Sequence, residues 1–449
     1  MDAHLIDSAI HGDNWSTLFS RDLFAERARL SRWLEVIIAL AKAQGTLGLI
    51  PATSVEAISG IDAGELSIER IADSTRESSH STLGLIREIQ RHLPETAREH
   101  VYWGTTVQDI TDTSAAMEMD AVGAEVWGGL HRIETTLMEL ATTYRSTPMI
   151  GRTHGQPGAP ITFGFKAASW LDEVGRSIER LTAISHRVRT VQLGGAVGSL
   201  AFFGEDALAL RQAFAAELGL TEPVMSWLTA RDRLGEFGST MAIATAALGR
   251  IANEVFTLQR AEIGELREAS SAQTVGSITM PHKQNPEHSE QIVTLARQVR
   301  SQSSSIIENM IQEHERDARG WKSEWVTLPT LSHYTCAAVH LTQSLLVGLT
   351  VNPGAMLSNI HAADTSSSAQ LLAHLTKSVG KHSAQAALHD VFSAVRSESL
   401  SVKDALLRAG FEVPDELLSN VDTGACAEMA DRAVAAATAR RADESTTWS

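Results

Sequence analysis

Cysteine is scarce in this chain, since only Cys336 and Cys426 occur among its 449 residues. Two cysteines exclude both a disulfide framework and a zinc site built on cysteine. No apolar run approaches the ~18 residues that a membrane span needs. The N-terminal segment also lacks the basic start and apolar core of a secretory signal. We therefore expect a cytoplasmic protein in a reducing compartment, with no membrane contact.

Basic residues are outnumbered, with 38 Lys and Arg against 54 Asp and Glu, giving a formal net charge of −16. Proteins bind nucleic acids and anionic membranes through a basic face, so we expect no nucleic-acid partner. The hydrophobic fraction of 43% and the charged fraction of 20% are those of a soluble globular protein. The length suggests roughly three domains.

Proline spacing and apolar periodicity predict an all-α chain. Proline is missing from four long stretches: 161–222, 224–280, 287–328 and 354–413. Because proline costs about 3 kcal/mol inside a helix, these stretches permit long helices. Apolar residues recur at spacings of three and four from Val126 to Leu140 and from Leu234 to Leu258, as in the narrow seams of helix bundles. The period-two alternation of strands is hard to find.

Three regions follow from this pattern. We predict a helical domain at 1–105, with one helix near 23–48, a central long-helix bundle at 106–350, and a domain of shorter helices at 351–449. Long helices with narrow seams are unusual within one globular domain. They suggest that the bundle buries itself against other subunits; the alternative is a monomeric bundle.

Residues 276–286, GSITMPHKQNP, carry the most chemical information. A loop rich in glycine and serine before a helix presents backbone N–H groups that suit anions. The segment also holds the hydroxyl of Ser277, the amine of Lys283 and the amide of Asn285 within nine residues. A simple loop would explain the glycine and the prolines, but not these three side chains together.

This segment resembles the GSSxMPxKxNP motif of the fumarase/aspartase superfamily, with Ile278 in place of the usual second serine. GTTVQD (104–109), GRTHGQ (151–156) and QLGGAVGS (192–199) resemble further segments of that family. The resemblance implies an all-α, three-domain subunit and a homotetramer with a twenty-helix core. It also implies active sites shared by three chains.

The resemblance further implies a reaction and the residues that perform it. A proton leaves the carbon next to a carboxylate, and the neighbouring carbon expels a leaving group. Ser277 would be the base, used as an alkoxide, while Lys283 and Asn285 would stabilise the dianionic intermediate. The other expected contacts to a small dicarboxylate substrate are the hydroxyl, amide, cationic and indole side chains of Thr106, Gln108, Thr153, Arg316 and Trp321.

Two histidines are candidate proton donors. In fumarases and adenylosuccinate lyases the positions matching His154 and Glu290 form a pair, and a carboxylate beside an imidazole raises its pKa as a donor requires. We therefore expect His154 and Glu290 to touch, with His154 protonating or binding the leaving group. His80, in SSHSTLG, is a second candidate acid or substrate contact; a capping or surface role remains open for it.

Two branches of the superfamily resemble the chain most. The segment 312–329, QEHERDARGWKSEWVTLP, resembles 3-carboxy-cis,cis-muconate cycloisomerases, although that branch typically has tryptophan in place of the motif histidine and lacks the paired glutamate. GRTHGQ, ITFGFK and NPEHSEQ resemble adenylosuccinate lyases, but the nucleotide-handling pattern after HERD is replaced by a stretch containing Trp321 and Trp325. Ala230 also replaces a glutamine common to both branches, which makes a different leaving group plausible.

We expect a fumarate-releasing lyase that cleaves a C–N or another carbon–heteroatom bond in a substituted succinate. Candidate leaving groups are a small amine, an amino acid or nitrite, with the variable end near His80, Trp321 and Trp325. No metal or organic cofactor is implied. The alternatives are a 3-carboxy-cis,cis-muconate cycloisomerase, an adenylosuccinate lyase, and an inactive scaffold resembling lens crystallins.

Overall fold

The computed structural model of the chain describes residues 4–269, 279–280, 282–363, 368–443 and 448. The prediction of an all-α chain is confirmed. The N-terminal part forms α1 (Gly12–Trp15), α2 (Leu18–Phe24), α3 (Glu26–Thr46), α4 (Ala52–Ser59), α5 (Ile68–Ser78), α6 (Leu83–Arg91) and α7 (Glu95–Arg98). The middle of the chain forms α8 (Val107–Thr143), α9 (Phe163–Val188), α10 (Ala207–Leu218), α11 (Asp232–Leu258), α12 (Glu287–Glu308) and α13 (Ala318–Val347). The C-terminal part forms α14 (Pro353–Ala362), α15 (Ser368–Val379), α16 (Lys381–Glu398), α17 (Val402–Arg408), α18 (Glu416–Ser419) and α19 (Cys426–Asp443).

Five long helices, α8, α9, α11, α12 and α13, pack against one another as a bundle. The seams predicted from Val126 to Leu140 and from Leu234 to Leu258 lie in its apolar core. A second core joins the N-terminal helices to α10, and a third lies within the C-terminal helices. The last helix, α19, returns to pack on α8 and α9. Within the described ranges, every helix is too short or too polar to cross a lipid bilayer.

The helices α8 and α9 run in opposite directions, as do α9 and α11, whereas α8 and α13 begin at the same end of the bundle. At one end Arg316, just before α13, contacts Thr106, just before α8. We call this the Thr106 end. At the other end Arg152 forms an ion pair with Glu265, which follows α11. We call this the hairpin end, because it holds an antiparallel pair of strands, β1 (Pro148–Thr153) and β2 (Gln156–Thr162).

The β1–β2 hairpin was not predicted. Its strands are short and lack regular alternation, because glycine and proline interrupt β2. The two-residue turn consists of His154 and Gly155, which both have positive φ, at 53° and 75°. Positive φ at both central residues is typical of a type I′ turn, whose twist matches that of the strands. A second, shorter pair joins β3 (Leu266–Arg267) to β4 (Thr350–Val351).

Two helix boundaries differ from the proline and periodicity patterns. The helix expected near 23–48 is divided at Ala25, whose extended backbone separates α2 from α3. The proline-free stretch ends at residue 328, yet α13 continues through Pro329 to Val347. Proline removes the helical N–H partner of the Trp325 carbonyl. Trp325 is 40% exposed, and the helix continues across this missing hydrogen bond.

Candidate active site

At the Thr106 end, Thr106 is held between the start of α8 and the loop before α13. Nη1 of Arg316 donates a 2.6 Å hydrogen bond to Oγ1 of Thr106. The backbone N–H of Thr106 donates to Oδ2 of Asp109 at 3.0 Å. Two of the predicted substrate contacts, Thr106 and Arg316, are therefore brought together although they lie 210 residues apart in the sequence.

Asp109 is a buried carboxylate that sequence reasoning did not single out. Besides Thr106, it accepts hydrogen bonds from the backbone N–H groups of Gly194 (2.8 Å) and Gly195 (3.0 Å) and from the amide of Gln192 (3.3 Å). Burial raises the pKa of Asp109 to about 7, against the lowering effect of these donors. The contacts fix the QLGGAVGS segment beside the start of α8.

Gln108 faces the interior of the bundle. Its Nε2 donates to Oδ2 of Asp112 at 3.0 Å and to the carbonyl of Leu228 at 2.7 Å. Its Oε1 is buried without a hydrogen-bond partner among the described residues. Only this oxygen of Gln108 is therefore available to a substrate, because the amide nitrogen already donates hydrogen bonds within the bundle.

A buried ionic network lies next to Gln108. Arg231 donates to both oxygens of Asp112, at 2.7 and 3.1 Å, and to both oxygens of Glu324. Burial opposes the charge on Arg231, but the two carboxylates prevail and raise its pKa above the ordinary value. Nε1 of Trp321 donates to Oδ1 of Asp112 at 3.1 Å, so the network also orients this indole.

Two tryptophans, Trp321 and Trp325, follow Arg316 in the sequence and lie on α13. The guanidinium carbon of Arg316 lies 5.7 Å from the ring centre of Trp321, a cation–π distance. The Trp321 and Trp325 rings meet edge to face with their centres 4.8 Å apart. These are the indoles expected near the variable end of the substrate.

His80 is exposed, and its Nδ1 accepts a 3.2 Å hydrogen bond from the backbone N–H of Leu83 at the start of α6.

The other predicted residues lie at the hairpin end. Thr153 ends β1, and both it and His154 in the turn are exposed. The hairpin is anchored by Arg152, whose two Nη atoms bond the buried Glu265 at 2.7 and 2.9 Å. Asn359 in α14 donates to the same carboxylate at 2.7 Å. The bonds to Glu265 therefore hold the exposed turn in a fixed position.

The start of α12 also belongs to the hairpin end. The carboxylate of Glu268, three residues beyond Glu265, accepts the backbone N–H groups of His288 (3.1 Å) and Ser289 (2.8 Å). Asn285 donates to Glu287 at 3.1 Å. Lys283 and Glu290 are exposed on either side of it. Ser277 lies outside the described residues.

The predicted residues thus form two groups at opposite ends of one bundle. One group lies at the start of α8 and consists of Thr106, Gln108, Arg316 and Trp321. The other lies beyond the end of α8 and consists of His154 and residues 283–290. At 1.5 Å per residue, the 37 residues of α8 span about 55 Å. His154 and Glu290 are both exposed, and the contact expected between them stays a prediction. Among the described residues, no group of three His, Cys, Asp or Glu side chains is placed to hold a metal ion.

Comparison with known proteins identifies the family. A family model described as lyase matches residues 19–301. N-acetyl-S-(2-succino)cysteine lyase of Dickeya dadantii is 36% identical over 91% of this chain and 90% of its own. The lyase of the same name from Enterococcus italicus is 35% identical over 97% of this chain and 98% of its own. The chain belongs to the fumarate lyase superfamily.

The superfamily is also the one that the GSITMPHKQNP segment resembles, and its members are lyases and cycloisomerases. The crystal structure of 3-carboxy-cis,cis-muconate lactonizing enzyme from Pseudomonas putida superposes on this lyase with a TM-score of 0.88. The two are 28% identical, and the match covers 95% of this chain and 98% of the other. Enzymes of this superfamily act on small dicarboxylates, which agrees with the expected class of substrate.

Proposed function

We propose that this lyase is a carbon–sulfur lyase that releases fumarate and N-acetylcysteine from N-acetyl-S-(2-succino)cysteine. The observation that carries the proposal is the 36% identity, over 91% of the chain, to the Dickeya dadantii enzyme of that name. A thioether belongs to the carbon–heteroatom substrates anticipated from the sequence. It also fits the absence of the nucleotide-handling pattern from the segment that contains Trp321 and Trp325.

In this reaction the alkoxide of Ser277 removes a proton from C3 of the succinyl group, and the electron pair passes into the adjacent carboxylate. Lys283 and Asn285 stabilise the resulting dianion with charged and amide donors. The electrons then return to form the C2–C3 double bond of fumarate as the C2–S bond breaks. The sulfur leaves with the bonding pair as a thiolate, which takes up one proton to become the thiol.

A sulfur leaving group makes a small demand on a general acid. A cysteine thiol has a pKa of about 8.5, so its thiolate departs far more readily than an amide or amine anion. His154 is then needed to bind and protonate the departing sulfur rather than to make the departure possible. His154 is exposed in its turn, where another chain can contact it.

The distribution of residues supports sites that are assembled from several chains. The dicarboxylate contacts near Thr106 and the residues near His154 and Glu290 are separated within one chain by most of the ~55 Å length of α8. A succinate derivative cannot bridge that distance. In the homotetramer implied by the resemblance, antiparallel neighbours bring the Thr106 end of one bundle beside the hairpin ends of others. Exposed apolar side chains on α11, α12 and α13, namely Ile243, Ile307 and Val326, suit such neighbours.

The proposal is tested by incubating the purified protein with N-acetyl-S-(2-succino)cysteine. We expect equal amounts of fumarate, measured by its ultraviolet absorbance, and of free thiol, measured with a disulfide reagent. N-(2-succino) derivatives of amino acids serve as the carbon–nitrogen comparison. Rapid fumarate release from one of these and none from the thioether would contradict the proposed leaving group.

The second candidate is 3-carboxy-cis,cis-muconate cycloisomerase, favoured by the likeness to the Pseudomonas putida structure. His154 and Glu290 argue against it, since that branch typically has tryptophan in place of the histidine and lacks the glutamate. Efficient conversion of 3-carboxy-cis,cis-muconate to a lactone by the same preparation would reverse the order of the two candidates.

A further inference from the structure

A cavity of about 110 Å³ lies between α3, α8 and α13, next to the Thr106 end. A groove of about 420 Å³ runs on from it towards α5. The two share three lining residues, Arg29, Trp33 and Trp325. Among the residues expected near the substrate only Trp325 lines these spaces, and it meets Trp321 edge to face at 4.8 Å. Through this contact the cavity adjoins Trp321, one of the expected substrate contacts.

The wall of this cavity holds a cationic side chain without a partner. Arg29 forms no side-chain hydrogen bond or ion pair with any described residue, although it lies close enough for its charge to act on Glu118. Its guanidinium is therefore available to an anionic ligand.

The acidic groups around the cavity are engaged elsewhere. Asp112 and Glu324 are both paired with Arg231. Oε1 of Glu118 accepts from Arg32 at 2.7 Å, and only its second oxygen is left to accept a hydrogen bond. The cavity thus offers one guanidinium as a donor, one carboxylate oxygen as an acceptor, and two indole side chains in its lining.

We propose that this cavity binds the N-acylated amino-acid end of the leaving group, with Arg29 as the ligand of its carboxylate. The assignment rests on the proposed carbon–sulfur lyase function and adds the residues that choose the leaving group. Planar guanidinium matches carboxylate with two parallel hydrogen bonds. The free oxygen of Glu118 accepts the amide N–H, and Trp33 and Trp325 cover the acyl methyl group.

A pair of substrates that differ only in this carboxylate tests the proposal. N-acetyl-S-(2-succino)cysteine has the carboxylate, and the thioether of N-acetylcysteamine with succinate lacks it. We expect the wild-type protein to prefer the first by about tenfold to a hundredfold in kcat/KM, the factor expected of a hydrogen bond to a charged group. In Arg29→Met the two substrates should react with kcat/KM values within about threefold of each other.

The ratio of the two rates separates recognition from folding, because a merely destabilised protein loses activity on both substrates equally. Arg87→Met is the matched control, since Arg87 is an exposed arginine on α6 that does not line the cavity and should leave the ratio unchanged. An unchanged ratio in Arg29→Met, with fumarate still released from both thioethers, would overturn the assignment of Arg29 and leave the carbon–sulfur function standing. Failure of the wild-type protein to release fumarate from either thioether would overturn the proposed leaving group and this assignment with it.

Discussion

Nη1 of Arg316 lies 2.6 Å from Oγ1 of Thr106, and this hydrogen bond joins the loop before α13 to the first residue before α8. Thr106 accepts with its hydroxyl while its backbone N–H is bound by the buried Asp109. Arg316 is further placed by the face of Trp321. The guanidinium is thus held from two sides and keeps further N–H groups for a ligand.

We expect Thr106→Val to lower kcat/KM by about tenfold or more, because the guanidinium of Arg316 loses the acceptor that orients it towards a substrate carboxylate. Thr106→Ser keeps the hydroxyl and should retain most of the activity. The rate of fumarate release measured for both variants checks this expectation. Equal activity of the valine and serine variants would show that the contact has no part in catalysis.

Ser277→Ala should lower kcat by at least about a thousandfold, since the proposed base would be gone and water is a poor replacement. Thr279→Ala, which removes a hydroxyl two residues away, is the control and should remain active. Size-exclusion chromatography should give the same oligomer for both variants and the wild type. Substantial turnover by Ser277→Ala would mean that another group removes the proton.

The fold was predictable where the chain repeats one spacing for many turns. The seams from Val126 to Leu140 and from Leu234 to Leu258 face the core because residues three and four apart share one helix face. The β1–β2 hairpin escaped prediction because its turn depends on positive φ at His154, a backbone property with little trace in the residue type. Proline spacing did not mark a boundary within α13, which continues through Pro329 although the ring removes one helical hydrogen bond.

The candidate site was predictable only as a set of motif residues. Gln108 was expected at the substrate, yet its amide bonds Asp112 and Leu228 inside the bundle. The ionic network of Asp112, Arg231 and Glu324 was missed because it joins positions about a hundred residues apart in the sequence. Only the structure reveals these groups, because every residue of α8 from 107 to 114 is buried although several are polar.

Mixing two impaired variants should raise activity above that of either alone if Ser277 and His154 of one site come from different chains. Ser277→Ala and His154→Ala should each be impaired alone, since each lacks one proposed catalytic group. Random mixing of the two in an oligomer should recover up to about a quarter of the wild-type activity, because that fraction of sites receives both intact side chains. Fumarate release after joint denaturation and refolding measures the recovery.

The mixing experiment needs proof that mixed oligomers form. Tagging one variant and co-purifying the other supplies it. A mixture of Ser277→Ala with itself under two different tags is the control and should stay inactive. Mixed oligomers that recover no activity would argue that Ser277 and His154 of one site come from the same chain.

Stability should fall in mild acid because of one buried histidine. His333 in α13 is 6% exposed, lies beside the ring of Phe24, and has Nδ1 at 2.9 Å from Oγ of Ser20. Burial lowers its pKa from 6.5 to about 4. Between these values the unfolded chain binds a proton that the folded chain does not. The stabilising contribution is therefore complete above pH 6.5 and is lost as the pH falls towards 4, by about 3 kcal/mol.

His333→Gln removes the titrating group and keeps a polar atom for Ser20. We expect this variant to lose less free energy of unfolding than the wild type between about pH 6.5 and pH 4. Urea denaturation followed by circular dichroism across this range measures the difference. His340→Gln, an exposed histidine on the same helix, should follow the wild-type curve. If His333→Gln also follows the wild-type curve, the acid sensitivity originates elsewhere in the protein.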